Sequence, residues 1–309
     1  MKTLPTLLLS SLFLSSISLA APSKFTPEQL KLPGKKGIGF ILRPDGQGAN
    51  KPPTIEENIP KIKELNVSWN YSWGSVRVPE QPANIEFIPM IWGGGNPEKL
   101  EQRLTKEVIP NIKGKQVHRL LGFNEPDKSE QANMPYTKAI ELWPTLEKLD
   151  IPLCSPACAN PAGVNDDSVQ GVAGTWMRDF MKEADAKGLR VDYIGVHWYG
   201  GANAASFKGK MRQIYEKYGN RPLLITEFAP ADWHTNGDIQ KHRLNSGAVL
   251  AFMKDVLPWM ESQDWIAGYA WFPFKIDSPV GTSSALFDAA GKLTPCGKFY
   301  QSVTPQNPK

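Results

Sequence analysis

Eight short apolar runs, separated by segments with helical patterning, predict an α/β chain of the (β/α)8 barrel type folded as a single domain. Three observations carry that expectation. The runs are continuously apolar rather than alternating, as strands buried on both faces of a parallel sheet are. Strand and helix patterns interleave along the whole chain, with no internal repeat, low-complexity tract or linker. The length remaining after an N-terminal leader, about 290 residues, suits one eight-fold unit. An open doubly wound sheet is the rival. It would carry a Gly-rich phosphate loop after the first strand, whereas Gly37-Ile38-Gly39 lies within the strand and does not continue into one.

The leader is residues 1–20. Met1-Lys2-Thr3 gives a basic start, Leu7 to Leu19 is apolar and serine-rich, and Ser18 and Ala20 place small residues before a cut. This is the pattern of a secretory signal peptide, too short in its apolar part to span a bilayer. Residues 21–309 are then the folded domain, expected to be secreted to an extracellular or periplasmic space and to act as a monomer. The net charge of +4 is too small, and too evenly spread, to imply nucleic acid or an anionic membrane as partner. Cys154, Cys158 and Cys296 form an odd set. Extended, the first two would lie roughly 13 Å apart, too far to bridge, leaving one bond from either to Cys296 as the possible disulfide. Three cysteines and four scattered histidines show no metal-ligand spacing.

The elements follow in order. A Pro-containing lead-in at 24–34 precedes a first strand at 37–42 and a loop at 43–48. Thr54 and Glu57 form a capping-box pattern opening a helix to about Leu65. Strands follow at 67–73 and 85–92. Asn96-Pro97 then begins a helix reaching about Val108. The fourth strand ends at Glu125. A helix at 136–149 contains Pro144, which should kink or interrupt it. The fifth strand, 153–158, contains Pro156. A loop at 160–174 is long enough to carry function. A helix at 176–187 closes on Gly188, and the sixth strand is 191–199. A helix at 208–218 closes on Gly219, and the seventh strand ends at Glu227. A helix at 245–261, expected to break near Pro258, leads to the eighth strand at 266–272 and a last helix or tail at 292–303.

In a barrel the reactive face lies at the C-terminal ends of the strands. Those ends here carry Asn70, Tyr71, Trp73, Trp92, Asn124, Glu125, His197, Trp198, Tyr199, Glu227, Trp271 and Phe274. Glu125 and Glu227 each close an apolar run and precede a proline by one or three residues, so parallel strands would bring both carboxylates to one edge. Two carboxylates in one cleft are the minimum for glycoside hydrolysis. Indole and phenol rings stack on sugar C–H faces while their polar tips bind hydroxyls. Trp143, Trp176 and Trp259 fall in helices and read as core. Asp232 and Trp233 read either as a subsite or as plain loop. His197 could bond the nucleophile or a sugar hydroxyl, or simply fill a wall. The ligand these ends suit is a neutral polysaccharide, with no metal and no cofactor. A Gly-x-Ser-x-Gly elbow is absent, which disfavours an esterase.

Asn124-Glu125 on strand four and Glu227 on strand seven resemble the clan of retaining (β/α)8 glycoside hydrolases. More narrowly, Leu121-Gly122-Phe123-Asn124-Glu125-Pro126-Asp127, His197-Trp198-Tyr199 and Ile225-Thr226-Glu227-Phe228-Ala229 resemble glycoside hydrolase family 128, a family of β-1,3-glucanases. The resemblance covers roughly residues 37 to 300. It implies Glu227 as nucleophile and Glu125 as acid/base, with the Glu125 pKa raised by burial and by Glu227. It implies Asn124 on the sugar 2-hydroxyl, Trp92 and Trp271 as sugar platforms, and Asn70, Trp73, His197, Trp198 and Tyr199 as substrate contacts. The expected activity is endo-β-1,3-glucanase by double displacement. The alternatives are a cellulase or β-mannanase of the same clan, or an exo-acting or weakly catalytic β-1,3-glucan-binding protein.

Overall fold

The computed structural model describes residues 23–43, 54–160 and 175–304. The expected leader, most of the loop at 43–48 and most of the loop at 160–174 lie outside the described residues. Six strands form one parallel sheet in the order β3 (Glu86–Phe87), β2 (Trp69–Tyr71), β1 (Lys36–Gly39), β8 (Ile266–Trp271), β7 (Leu223–Phe228), β6 (Ile194–Trp198). The strands β4 (Leu120–Leu121) and β5 (Leu153–Cys154) pair in parallel separately. Parallel bridges from Met90 to Leu121 and from Cys154 to Tyr193 join the two sheets. The Leu121 N–H donates to Pro89 O at 2.9 Å and the Ser155 N–H to Tyr193 O at 2.9 Å. The eight strands therefore neighbour one another in chain order, and β8 returns to β1. This is the predicted (β/α)8 architecture, with strands shorter than the apolar runs that announced them.

The strand period of two sorts the apolar side chains into two layers. Trp69, Tyr71, Ile88, Met90, Leu121, Cys154, Tyr193, Leu224 and Ala270 pack inside the ring. Ile38, Phe87, Val196, Trp198, Ile225, Phe228, Tyr269 and Trp271 pack outward against the helices. Two glycines of β1 make room for the inner layer. A Cβ on Gly37 would fall 2.1 Å from the Trp69 ring, and one on Gly39 would fall 2.8 Å from both Tyr71 and Trp73.

Helices α2 (Ile55–Glu64), α5 (Tyr136–Glu147) and α8 (Ser246–Ser262) each run through an internal proline, Pro60, Pro144 and Pro258. Neither Pro144 nor Pro258 interrupts its helix. All three prolines sit on exposed faces, where the carbonyl freed four residues earlier reaches water and the helix can bow toward solvent. The capping box at Thr54 also does not form. Its hydroxyl instead donates to Ile41 O (2.6 Å) and accepts from the Arg43 N–H (2.8 Å), tying the end of β1 to α2. Asn96 caps α3 (Pro97–Arg103) through the Lys99 N–H, as its Asn-Pro start predicts. That helix then passes through a π turn, Leu104–Val108, into α4 (Ile109–Lys113). The helices α6 (Trp176–Ala186), α7 (Ala204–Lys217) and α9 (Pro295–Ser302) complete the outer layer. No helix among the described residues is long and apolar enough to cross a membrane.

The end of the ring opposite the reactive face is closed by α1 (Pro27–Leu30), whose Leu30, with Leu32, enters the inner layer. Arg119 holds it there. Its guanidinium donates to Glu86 (2.8 Å), to the Tyr193 hydroxyl (2.7 Å) and to the carbonyls of Leu30 and Lys31. Two buried lysines finish the last helices. The Lys35 ammonium donates to the carbonyls of Met260, Glu261 and Gln263 at the end of α8, and that of Lys36 to Tyr300, Gln301 and Val303 at the end of α9. Burial lowers Lys36 to about 8. The three cysteines are buried free thiols, so the possible bond to Cys296 is not made.

Candidate active site

Two local departures from ideal strand geometry deliver the two glutamates. After β4 the chain makes a last bridge at Asn124 to Ala157, and the Glu125 N–H donates to Ala157 O at 2.7 Å. Glu125 itself has φ 41°, in the left-handed region, immediately before Pro126. A non-glycine residue there costs on the order of 1 kcal/mol and is held by its surroundings. Asp127 fixes the turn by accepting from the N–H groups of Ala159 (2.8 Å) and Asn160 (3.1 Å). On β7, Thr226 is an extra residue. Val196 and His197 of β6 pair with Ile225 and Glu227, and β8 shows the same slip between Ile225 and Phe228. Leu224 points into the ring and Ile225 and Phe228 point out, so this bulge is what turns Glu227 inward.

The carboxylates meet over His197, which is 0% exposed. Its Nδ1 lies 3.0 Å from Glu125 Oε1 and 3.5 Å from Glu227 Oε2. One carboxylate oxygen of each glutamate and the ring nitrogen all lie within 4.8 Å of one another. Glu227 accepts further bonds from the Trp73 indole N–H at 2.7 Å, the Tyr71 hydroxyl at 3.4 Å and the Tyr199 hydroxyl. Trp73 reaches it from a left-handed residue, φ 55°. These three donors orient the Glu227 carboxylate.

Burial pushes the Glu125 carboxyl up, but the hydrogen bond and charge of His197, with Lys128 beyond, outweigh burial and hold it below its ordinary value. This corrects the expected upward shift: the sequence did not reveal that an imidazole would stand against the acid. Burial opposes charge on His197, yet Glu227, then Glu125 and Asp127, raise it above 6.5. Burial first, then Glu227, push Tyr71 and Tyr199 well up, so both remain hydroxyl donors. Among the described residues, Glu125, His197 and Glu227 are the group that could hold a cation. In the structure the His197 Nδ1 bonds to Glu125 and lies 3.5 Å from Glu227.

Above the trio lies a cleft of about 810 Å³. Of the predicted contacts, Trp73, Trp92, Asn124, Trp198 and Tyr199 line it. Trp92 is 38% exposed and free to act as a platform. Asn124 donates from Nδ2 to Gln131 at 3.2 Å, while its buried Oδ1 has no partner among the described residues. Trp198 only edges into the cleft, since its ring stacks on Phe252 at 5.5 Å and packs outward. Trp271 is not a platform. It is 0% exposed, donates its indole N–H to Ser284 O at 2.9 Å, and packs on Phe228. Asn70 is also fully buried outside the ring, accepting from Gln81 at 2.7 Å. His197 lies beneath the carboxylates and does not line the cleft. Trp143 is buried core, and Trp176 and Trp259 pack partly buried against it.

Phe272 and Phe274 take the place expected of Trp271, and Ile41, Asp127, Lys128 and Gln131 also line the cleft. Trp233 resolves as a wall residue, 53% exposed, its ring edge-on to Tyr199 and under the Lys128 ammonium at 6.0 Å. The strand period carries the missed signal: Trp271 faces out, so its neighbour Phe272 faces in.

The chain matches the family model described as glycosyl hydrolase catalytic core over residues 48–300. No curated protein matches it. It is similar to solved structures of family 128 enzymes. One is a subgroup I endo-β-1,3-glucanase from Amycolatopsis mediterranei in complex with laminaritriose, 26% identical, covering 87% of this chain and 99% of that one with a TM-score of 0.66. Another is a subgroup II endo-β-1,3-glucanase from Sorangium cellulosum, 25% identical over 89% and 100% of the chains, TM-score 0.64. A third is a subgroup III curdlan-specific exo-β-1,3-glucanase from Blastomyces gilchristii in complex with glucose, 25% identical over 88% and 100%, TM-score 0.62.

Proposed function

This chain belongs to the glycosyl hydrolase catalytic core family, and from that premise we propose that it is a secreted, retaining endo-β-1,3-glucanase. The observation that carries the reading is the approach of the Glu125 and Glu227 carboxylates, with an oxygen of each within 4.8 Å, on the floor of an aromatic cleft. Retaining hydrolysis needs the two carboxyl groups about 5–5.5 Å apart, whereas inversion needs roughly 6.5–9.5 Å to admit a water between.

In this mechanism Glu227 attacks the anomeric carbon and forms a covalent glycosyl-enzyme. Glu125 protonates the departing oxygen, then removes a proton from the incoming water. Trp73, Tyr71 and Tyr199 keep Glu227 aimed, and Asn124 receives the 2-hydroxyl of the reacting sugar. Trp92, Trp233, Phe272 and Phe274 supply stacking faces. The laminari-oligosaccharides and glucose named with the similar structures support a β-1,3-glucan as substrate. The endo and exo enzymes among them differ in where they cut. Export rests on the signal-peptide pattern of residues 1–20.

The test is product analysis on linear β-1,3-glucan with cellulose, mannan and mixed-linkage glucan alongside. A ladder of β-1,3 oligosaccharides whose new anomeric protons first appear in the β form supports the reading. A single early product would mean exo action, and inverted products would refute the double displacement. Glu227→Gln should abolish hydrolysis while keeping oligosaccharide binding. Glu125→Ala should be rescued in part by azide on an activated aryl glycoside. N-terminal sequencing of the exported protein should begin at Ala21.

A further inference from the structure

The acid/base carboxyl must carry a proton when the glycosidic bond breaks, yet Glu125 lies against a histidine that favours its ionised form. This conflict has a geometric solution, which rests on the reading of Glu125 as acid/base. His197 is wholly buried, and its Nδ1 sits 3.0 Å from Glu125 Oε1. Its Nε2 has no partner among the described residues. Nδ1 is therefore the ring's route for exchanging a proton, and its nearest acceptor is Glu125 Oε1, at 3.0 Å against 3.5 Å for Glu227 Oε2.

We propose that His197 is the proton reservoir of the acid/base step, holding the catalytic proton on Nδ1 in the resting enzyme and passing it across the hydrogen bond to Glu125 Oε1 during glycosylation. The transfer breaks one N–H bond and forms one O–H bond. An ion pair becomes a neutral pair, and the net charge of the cluster is unchanged. Rotation about the Glu125 Cγ–Cδ bond, a broad torsion, then turns the O–H to the leaving oxygen. The proton departs with the alcohol and leaves Glu125 a carboxylate. In the second half Glu125 takes a proton from water, the water oxygen bonds to the anomeric carbon, and Glu227 leaves as a carboxylate. The proton then returns to Nδ1.

The charge of Glu227 regulates the exchange. It lies 3.5 Å from Nδ1 and is the foremost support of charge on the ring. Burial and the unpartnered Nε2 oppose that charge. As Glu227 gives its electrons to the anomeric carbon, the support fades and the proton moves to Glu125 when it is needed. The other groups facing the pair do not compete for the proton. Lys128 favours the ionised Glu125, and Asp127 favours the charged ring. The Tyr71 and Tyr199 hydroxyls, and the Cys158 thiol, are pushed up by burial and keep their own protons.

His197→Gln keeps an amide N–H for Glu125 but stores no proton, so it separates storage from positioning. In the wild type the high-pH limb of kcat/KM should follow the histidine and lie above about pH 6.5. In His197→Gln that limb should fall by about one pH unit or more, with kcat reduced and KM nearly unchanged. A profile lowered equally at every pH, with both limbs in place, would overturn the proposal and leave His197 a positioning residue only. A second measurement needs neither that variant nor a substrate. The infrared difference between wild type and Glu125→Gln near pH 6 should show an ionised carboxylate lost, and loss of a protonated acid band instead would refute the reservoir. A wild type inactive on every glucan would strike at the reading of the site, while the infrared result would still decide where the proton rests.

Discussion

Replacing Trp271 separates a core role from a ligand role sharply. Its ring is fully buried between the strand ring and α8, 5.1 Å from Phe228 and 6.4 Å from Phe252 by centroid, with its N–H on Ser284 O. Trp271→Ala removes all of that and orphans the carbonyl, at a cost of about 4 kcal/mol. In a chain of this size each kcal/mol moves the melting temperature by ~2 °C, so the midpoint should drop by roughly 8 °C. Trp271→Phe, which keeps most of the volume and loses the hydrogen bond, should fall by about a third as much. Calorimetric melting with and without a β-1,3-oligosaccharide gives stability and affinity from one preparation. Affinity of the folded protein should stay within about twofold, since no atom of Trp271 faces the cleft. A variant melting with the wild type but binding tenfold more weakly would refute the placement and restore the platform the sequence suggested.

Trp233→Ala should behave in the opposite way, raising the oligosaccharide Kd about tenfold while leaving the melting temperature within roughly 1 °C, because its ring is more than half exposed. Arg119→Met leaves Glu86 buried without its cation and releases the Leu30 and Lys31 carbonyls, so denaturant unfolding should show a loss of ~3–5 kcal/mol with kcat little changed. Lys36→Met should cost roughly 3 kcal/mol by abandoning the carbonyls at the end of α9. Burial holds Lys36 near 8 in the folded chain, below about 10.4 when unfolded, so the unfolded state binds more protons between those values. The wild type should therefore gain on Lys36→Met as pH rises through that window, and a constant gap would contradict the assignment.

Strand number, order and helix placement were legible because each rests on local composition: apolar runs buried on both faces, Asn96-Pro97 at a helix start, Gly188 and Gly219 past helix ends. The prolines misled because a helix break depends on which face the proline occupies, which the apolar pattern reports only jointly with packing. At the site, Glu125, Glu227, Asn124, Trp73, Trp92 and Tyr199 could be read from strand ends. Asn70 and Trp271 could have been set aside by parity, since each alternates with an inward neighbour: Tyr71 and Phe272. Glu227 shows why parity alone does not suffice. Without the bulge at Thr226 it would point at the helices, and nothing in Ile225-Thr226-Glu227 announces an extra residue. The Glu125–His197 contact joins strands 72 residues apart, and electrostatics of that kind is invisible until the ring is closed.

That closure also sets a timetable for biosynthesis. β1 is among the first strands made, yet one of its edges pairs with β8, and Lys36 caps a helix ending near Val303. At about 5–20 residues per second, roughly 15–50 s separate synthesis of the first strand from that of its last partners. Throughout that interval β1 presents an unpaired backbone edge with two glycines and a tryptophan-rich neighbour, a template for wrong pairing. The chain thus emerges vectorially as a polymer whose first strand cannot complete its pairing until its last strand and helix arrive.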